Sequence, residues 1–156
     1  MNYEKMIELS IILLFIISIL TTYVLTKSIE KTAAVAIVGM YLFSAIDKFI
    51  TDSDVNRLIS KWKIKDNQKR YKQFVKLIVF VGGMWELLSS VALITSVFTN
   101  KKKLFGIDVN KIRFYSVVSL ILFTIAATLM VYVFPFRPLP IISNINAIGG
   151  LLALLN

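Results

Sequence analysis

The chain has 156 residues, 57% of them hydrophobic and 17% charged, with a mean hydropathy of +0.76; it is too apolar for a soluble domain of ordinary composition and reads as a membrane protein. It contains neither Cys nor His, which excludes disulfides, thiolate or imidazole ligation of metals and haem, thiol redox chemistry and His acid–base catalysis. The net charge of +9 comes from Lys and Arg residues placed between the apolar runs and on no nucleic-acid motif. Their simplest use is to fix topology and meet anionic headgroups, so the expected partners are a lipid bilayer and other proteins, not nucleic acid.

A bilayer core about 30 Å thick needs about 20 apolar residues at 1.5 Å each, and five segments approach that length. The first covers about 6–26, with Glu8 at its entrance. A cleaved signal peptide is the alternative, but the small-residue cleavage pattern is missing, which favours a retained anchor helix. The second covers about 32–50 and follows the polar connection Lys27-Ser28-Ile29-Glu30-Lys31, which forces the first two helices into an antiparallel hairpin.

Next comes the longest polar stretch, in which Val55, Leu58, Ile59 and Trp62 fall on one helical face while Arg57, Lys61 and Lys65 lie off it. Asp52 and Ser53 supply N-cap chemistry just upstream. The pattern predicts an interfacial amphipathic helix over about 53–65, with Trp62 at the depth where indoles settle and Lys61 and Lys65 at the membrane surface; a solvated basic loop is the other reading. The third apolar helix covers about 74–98 and contains Glu86, and the fourth about 112–134.

The fourth stops at Phe134-Pro135-Phe136-Arg137-Pro138-Leu139-Pro140, where prolines deny the helix its donors. The fifth segment, about 139–155, reaches about 27 Å if fully helical. It spans or enters partway, and spanning is favoured. For a five-helix chain, eleven basic residues fall on the side of the N terminus and seven on the other, including Lys101-Lys102-Lys103; this places the N terminus in the cytoplasm. The chain is therefore expected to be a single transmembrane domain, all-α, a polytopic bundle of five helices in a multi-pass topology.

Glu86 is expected about 18 Å into its helix, near mid-bilayer, where a bare charge costs several kcal/mol. Gly82 and Ser90 lie one turn either side and Gly83 and Ser89 flank the same stripe, so a neighbouring helix is expected to approach there and Glu86 to face the bundle. Tyr41 and Ser44 are the expected hydrogen-bond partners of a neutral Glu86. Lys48, about 10 Å off in depth by residue rise, is expected to snorkel instead, as is Asp47, since adjacent helical positions point about 100° apart. Asn144 and Asn146 are further polar options, and Asn146, Gly150 and Ala153 form a second small-residue face. Two roles follow for Glu86, glue between helices or a proton carrier and polar ligand contact. Trp85, Phe43, Phe134 and Phe136 read as packing and interface aromatics.

The helix ending in Phe43-Ser44-Ala45-Ile46-Asp47-Lys48-Phe49, the run Gly82-Gly83-Met84-Trp85-Glu86-Leu87-Leu88, the Ala126-Ala127 helix before a Pro-Phe turn, and Asn146-Ala147-Ile148-Gly149-Gly150-Leu151-Leu152 together resemble the DoxX-like family of small four-helix membrane proteins. The surfeit-locus cargo receptors of the early secretory pathway are also similar to that family. The resemblance covers about residues 32–155 and implies a four-helix core with one added N-terminal helix. By motif it marks Lys48 and Glu86 as the family's intramembrane polar pair. The chain departs from the pattern at Asp47, where a small residue is usual, and in lacking a His late in the third family helix.

No nucleophile–base set, metal cluster or phosphate loop is present in the sequence, so no catalytic residue or metal ligand is expected. The leading functional expectation is a non-enzymatic packing, anchoring or recruiting subunit of a larger membrane assembly. A membrane oxidoreductase subunit or carrier binding quinone, lipid or protons around Glu86 and Tyr41 is the alternative. A structural protein of a virion membrane is a third, since the Ile-, Lys- and Asn-rich composition suits an AT-rich genome.

Overall fold

The structure is a computed structural model that describes residues 3–65, 67–132 and 138–155, with side chains from residue 12 onward. Among the described residues it is all-α apart from one two-stranded hairpin. In chain order the elements are α1 (Tyr3–Thr26), α2 (Ile29–Ile50), α3 (Ser53–Lys61), α4 (Lys69–Phe98), β1 (Lys103–Leu104), β2 (Ile107–Asp108), α5 (Val109–Val131) and α6 (Pro138–Ala153). Among the described residues, α2, α4 and α5 are long and apolar enough to cross a membrane, whereas the 12–26 stretch of α1 and the whole of α6 are apolar but shorter.

Local chemistry accounts for where the helices begin. Ser28 caps α2 by accepting a hydrogen bond from the Lys31 amide at 3.3 Å, with Glu30 in the first turn, so α2 starts at Ile29 and consumes most of the connection expected to be polar loop. Asp108 caps α5 in the same way through the Asn110 amide at 2.8 Å, which starts that helix three residues before the expected position. Asp52 occupies the N-cap position of α3 without capping it; its carboxylate lies 3.4 Å from Lys76 Nζ instead. Pro138 and Pro140 open α6, where a missing amide donor costs nothing. The expected stop at 133–137, and with it Phe134 and Phe136, lies outside the described residues.

The hairpin between α4 and α5 was not anticipated. Lys103 pairs with Asp108 and Leu104 with Ile107, and the turn residues Phe105 and Gly106 have φ of 50° and 81°. That pair of left-handed residues belongs to the mirror-image turns that match strand twist, and the glycine supplies one of them without strain.

α2 and α4 form the central pair and run antiparallel, with Lys31 over the Phe98 ring near one end and Phe49 against the Phe80 ring near the other. The main core gathers Ala34, Val38 and Tyr41 of α2, Leu93 of α4, Leu120 of α5 and Leu151 of α6. α1 packs chiefly on α2, with its Phe15 ring against Gly39. α4 begins five residues earlier than expected, so its first turns project past the end of α2. There α3 folds back over it, and Val55 and Leu58 are buried against Val75 and Val79. The helix expected over 53–65 stops at Lys61, and the Val55 and Leu58 positions of its apolar stripe pack on the projecting part of α4.

Close approach of α2 to α4 depends on Gly83, where a Cβ would lie 3.0 Å from Phe49 Cζ and 3.3 Å from Lys48 Cβ. A branched side chain there must push the helices apart. Gly83→Val is expected to destabilise the bundle by about 1–3 kcal/mol in detergent unfolding titrations. Gly149→Ala, inside α6 at a position facing open space, is expected instead to stabilise the bundle by about 0.5–1 kcal/mol.

Candidate functional site

Ser44 and Lys48 lie one turn apart on the last two turns of α2, and Glu86 faces them from α4. Because Gly83 has no side chain, the stem of Lys48 lies directly on the α4 backbone and its ammonium extends to the next turn. There Lys48 Nζ donates to Glu86 Oε2 at 2.7 Å, to Ser44 Oγ at 2.6 Å and to the Ser44 carbonyl at 3.3 Å, which uses all three ammonium donors. Ser44 Oγ in turn lies 3.0 and 3.2 Å from the two Glu86 oxygens. Both side chains are withdrawn from the surface, Glu86 at 3% and Lys48 at 13% exposed.

The expected assignment of partners is thus revised. Lys48 does not snorkel away; it meets Glu86 directly. Counting each helix from its own end sets the two residues apart in depth, but α2 and α4 are staggered, so the C-terminal turn of α2 falls level with the middle of α4. Asp54, in the first turn of α3, adds a second carboxylate 3.7 Å from Lys48 Nζ, and the Phe123 ring of α5 lies 5.8 Å from the same ammonium.

Tyr41 does not contact Glu86. Its hydroxyl is bonded to Thr124 Oγ1 at 2.6 Å, and Thr124 Oγ1 is placed 2.7 Å from the Leu120 carbonyl, a buried link between α2 and α5. Asp47 points the other way from Lys48, accepting from Thr51 Oγ1 at 3.1 Å and Ser53 Oγ at 3.3 Å, so it stabilises the turn into α3. Ser89 joins Ser119 of α5 at 2.9 Å, and the Trp85 indole donates to the same Ser119 at 2.6 Å. Ser90 is fully buried with no partner for its hydroxyl among the described residues.

The small residues divide between neighbours. Gly82 faces Phe123 of α5, Gly83 faces α2, and Gly150 of α6 faces Ile37 of α2. Asn146 and Ala153 are exposed, so the second small-residue face reduces to Gly150. Asn144 instead donates to Thr128 Oγ1 of α5 at 2.7 Å. Trp62 and Lys65 lie exposed in the turn after α3, and Lys61 donates to the Met130 carbonyl. Ser119, Thr124 and Thr128 were not singled out from the sequence; hydroxyl residues in an apolar helix carry no spacing signal that separates bonding across helices from bonding to their own carbonyls.

Beside this network a half-open groove of about 350 Å³ runs between α4 and α5. Val81, Gly82 and Trp85 form one wall and Phe123, Ala127 and Met130 the other, while Lys48, Asp54 and Arg57 supply the charged lining among the described residues. No protein-family model, curated protein or solved structure matches the chain.

A buried pair of this kind is costly to break from one side only, by about 3–5 kcal/mol, because the survivor is left uncompensated. Lys48→Met and Glu86→Gln are each expected to destabilise the bundle, and the double variant to cost less than their sum by about 1–3 kcal/mol. Unfolding midpoints of the four proteins in one detergent measure that coupling; strictly additive effects would show that the two groups act independently.

Proposed function

We propose that the chain is a multi-pass integral membrane protein acting as a non-enzymatic packing, anchoring or recruiting subunit of a larger membrane assembly. The observation that carries this reading is the closed state of the polar network. Every ammonium donor of Lys48 and both oxygens of Glu86 are engaged within α2 and α4, which is what a helix clamp requires. An ion pair whose members satisfy each other is the arrangement that tolerates an apolar solvent.

The three helices of spanning length supply the membrane part of the proposal. Large apolar side chains point outward along them and along α1; Leu25, Leu77 and Leu88 are 77%, 56% and 62% exposed. Such faces suit contact with acyl chains or other membrane helices. Placement in the DoxX-like family belongs to the same proposal. What supports it is that the two positions marked by motif, Lys48 and Glu86, are in contact.

A second reading, a ligand-binding or proton-carrying subunit, is favoured by the groove that reaches Lys48. The double variant Lys48→Met with Glu86→Gln separates the two. It leaves no uncompensated buried charge, so stoichiometric protein neighbours recovered with the full chain from membranes are expected to persist in it; a proton-linked activity would be abolished.

The absence of native Cys makes topology directly measurable. Single cysteines replacing Lys65, before α4, and Phe105, in the hairpin after it, are expected to label from opposite faces of sealed vesicles. Labelling of both from one face would refute a membrane-crossing α4.

A further inference from the structure

We propose that the α4–α5 groove holds one acyl chain of an anionic phospholipid, with the phosphate on Arg57. The inference rests on the membrane reading above and adds a ligand class to it. The groove extends from Leu77 to Trp85 along α4 and from Val131 to Phe123 along α5, about 12 Å at 1.5 Å per residue. That is close to one leaflet of a core about 30 Å thick, so the groove matches the part of a lipid that occupies a single leaflet. Its walls are apolar and its polar end is set by α3.

Charge selects the headgroup. Arg57 is half-buried, with its guanidinium 4.7 Å from the Tyr132 ring centroid and Nη1 donating to Tyr132 Oη at 3.4 Å. Among the described residues no carboxylate pairs with it, although Lys48 beside it is held by Glu86 and Asp54. A guanidinium has five donors in a planar fork that fits a phosphate, and the aromatic ring orients this one without neutralising it. The surrounding stretch 47–76 holds nine Lys or Arg against four Asp, so the field at the mouth also favours an anion.

The test uses the full chain with Trp62→Phe, which leaves Trp85 in the groove wall as the single remaining indole of two. The protein is reconstituted in phosphatidylcholine bilayers and titrated with chain-brominated phosphatidylglycerol or chain-brominated phosphatidylcholine, and Trp85 quenching is followed. Phosphatidylglycerol is expected to quench at about fivefold lower mole fraction, the scale of one basic contact at a membrane surface. Arg57→Gln is expected to remove that preference, and Lys65→Gln, an equal loss of charge away from the groove, to keep it. Superimposed curves for the two lipids in the parent protein, or a preference that survives Arg57→Gln, would overturn the proposal. Selective quenching by a brominated fatty acid without selectivity for phosphatidylglycerol would overturn the phospholipid assignment. Absence of quenching by every brominated lipid would instead remove the membrane reading beneath it.

Discussion

An ammonium and a carboxylate removed from water each carry a penalty that only a partner at contact distance can offset, and in this bundle the partners come from different helices. Lys48 reaches Glu86 at 2.7 Å, and the positions of the neighbouring elements follow from that requirement. The approach needs a residue without a side chain on α4, which Gly83 provides. It needs a third group to occupy the remaining donors, which Ser44 provides one turn back along α2. The contact also holds α2 in a staggered register against α4, with its last turn level with the Gly83 to Glu86 turn. α4 therefore projects beyond α2, and α3 has an apolar surface to fold onto.

The same stagger creates the groove. Where α2 ends, α4 and α5 lose a covering helix, and α3 replaces it only in part, with Asp54, Arg57 and Leu58 along the groove. A charged clamp and an apolar recess are thus two consequences of one helix offset. Elsewhere α5 is tied on by hydroxyl contacts, its Thr124 to Tyr41 of α2 and its Ser119 to Ser89 of α4. These are neutral hydrogen bonds of modest individual value, which leaves the ion pair as the costliest interaction to disrupt.

Much of this architecture was legible from residue pattern. The apolar runs located α2, α4 and α5 to within a few residues, because length and hydropathy are local properties. The inward orientation of Glu86 followed from Gly82, Gly83, Ser89 and Ser90, since small residues on one helical stripe invite a neighbouring helix. The i, i+3, i+4 stripe of Val55, Leu58 and Ile59 located α3 but not its partner, which turned out to be α4. What pattern could not supply was the relative height of helices. Depth counted from each helix's own end placed Lys48 out of reach of Glu86 and offered it Tyr41; packing instead sets Lys48 on Glu86 and Tyr41 on Thr124. The hairpin was missed because Leu104 and Ile107 flank Phe105-Gly106, a weaker turn signal than Asn-Gly or Asp-Gly.

The charge state of the clamp decides the account. Infrared difference spectra between the parent protein and Glu86→Gln, recorded in lipid bilayers at neutral pH, isolate the vibrations of this one side chain. The substitution is expected to remove an ionised carboxylate band, and Lys48→Met to replace that band by a protonated carboxyl band. A protonated carboxyl band in the parent protein, unchanged by Lys48→Met, would contradict it.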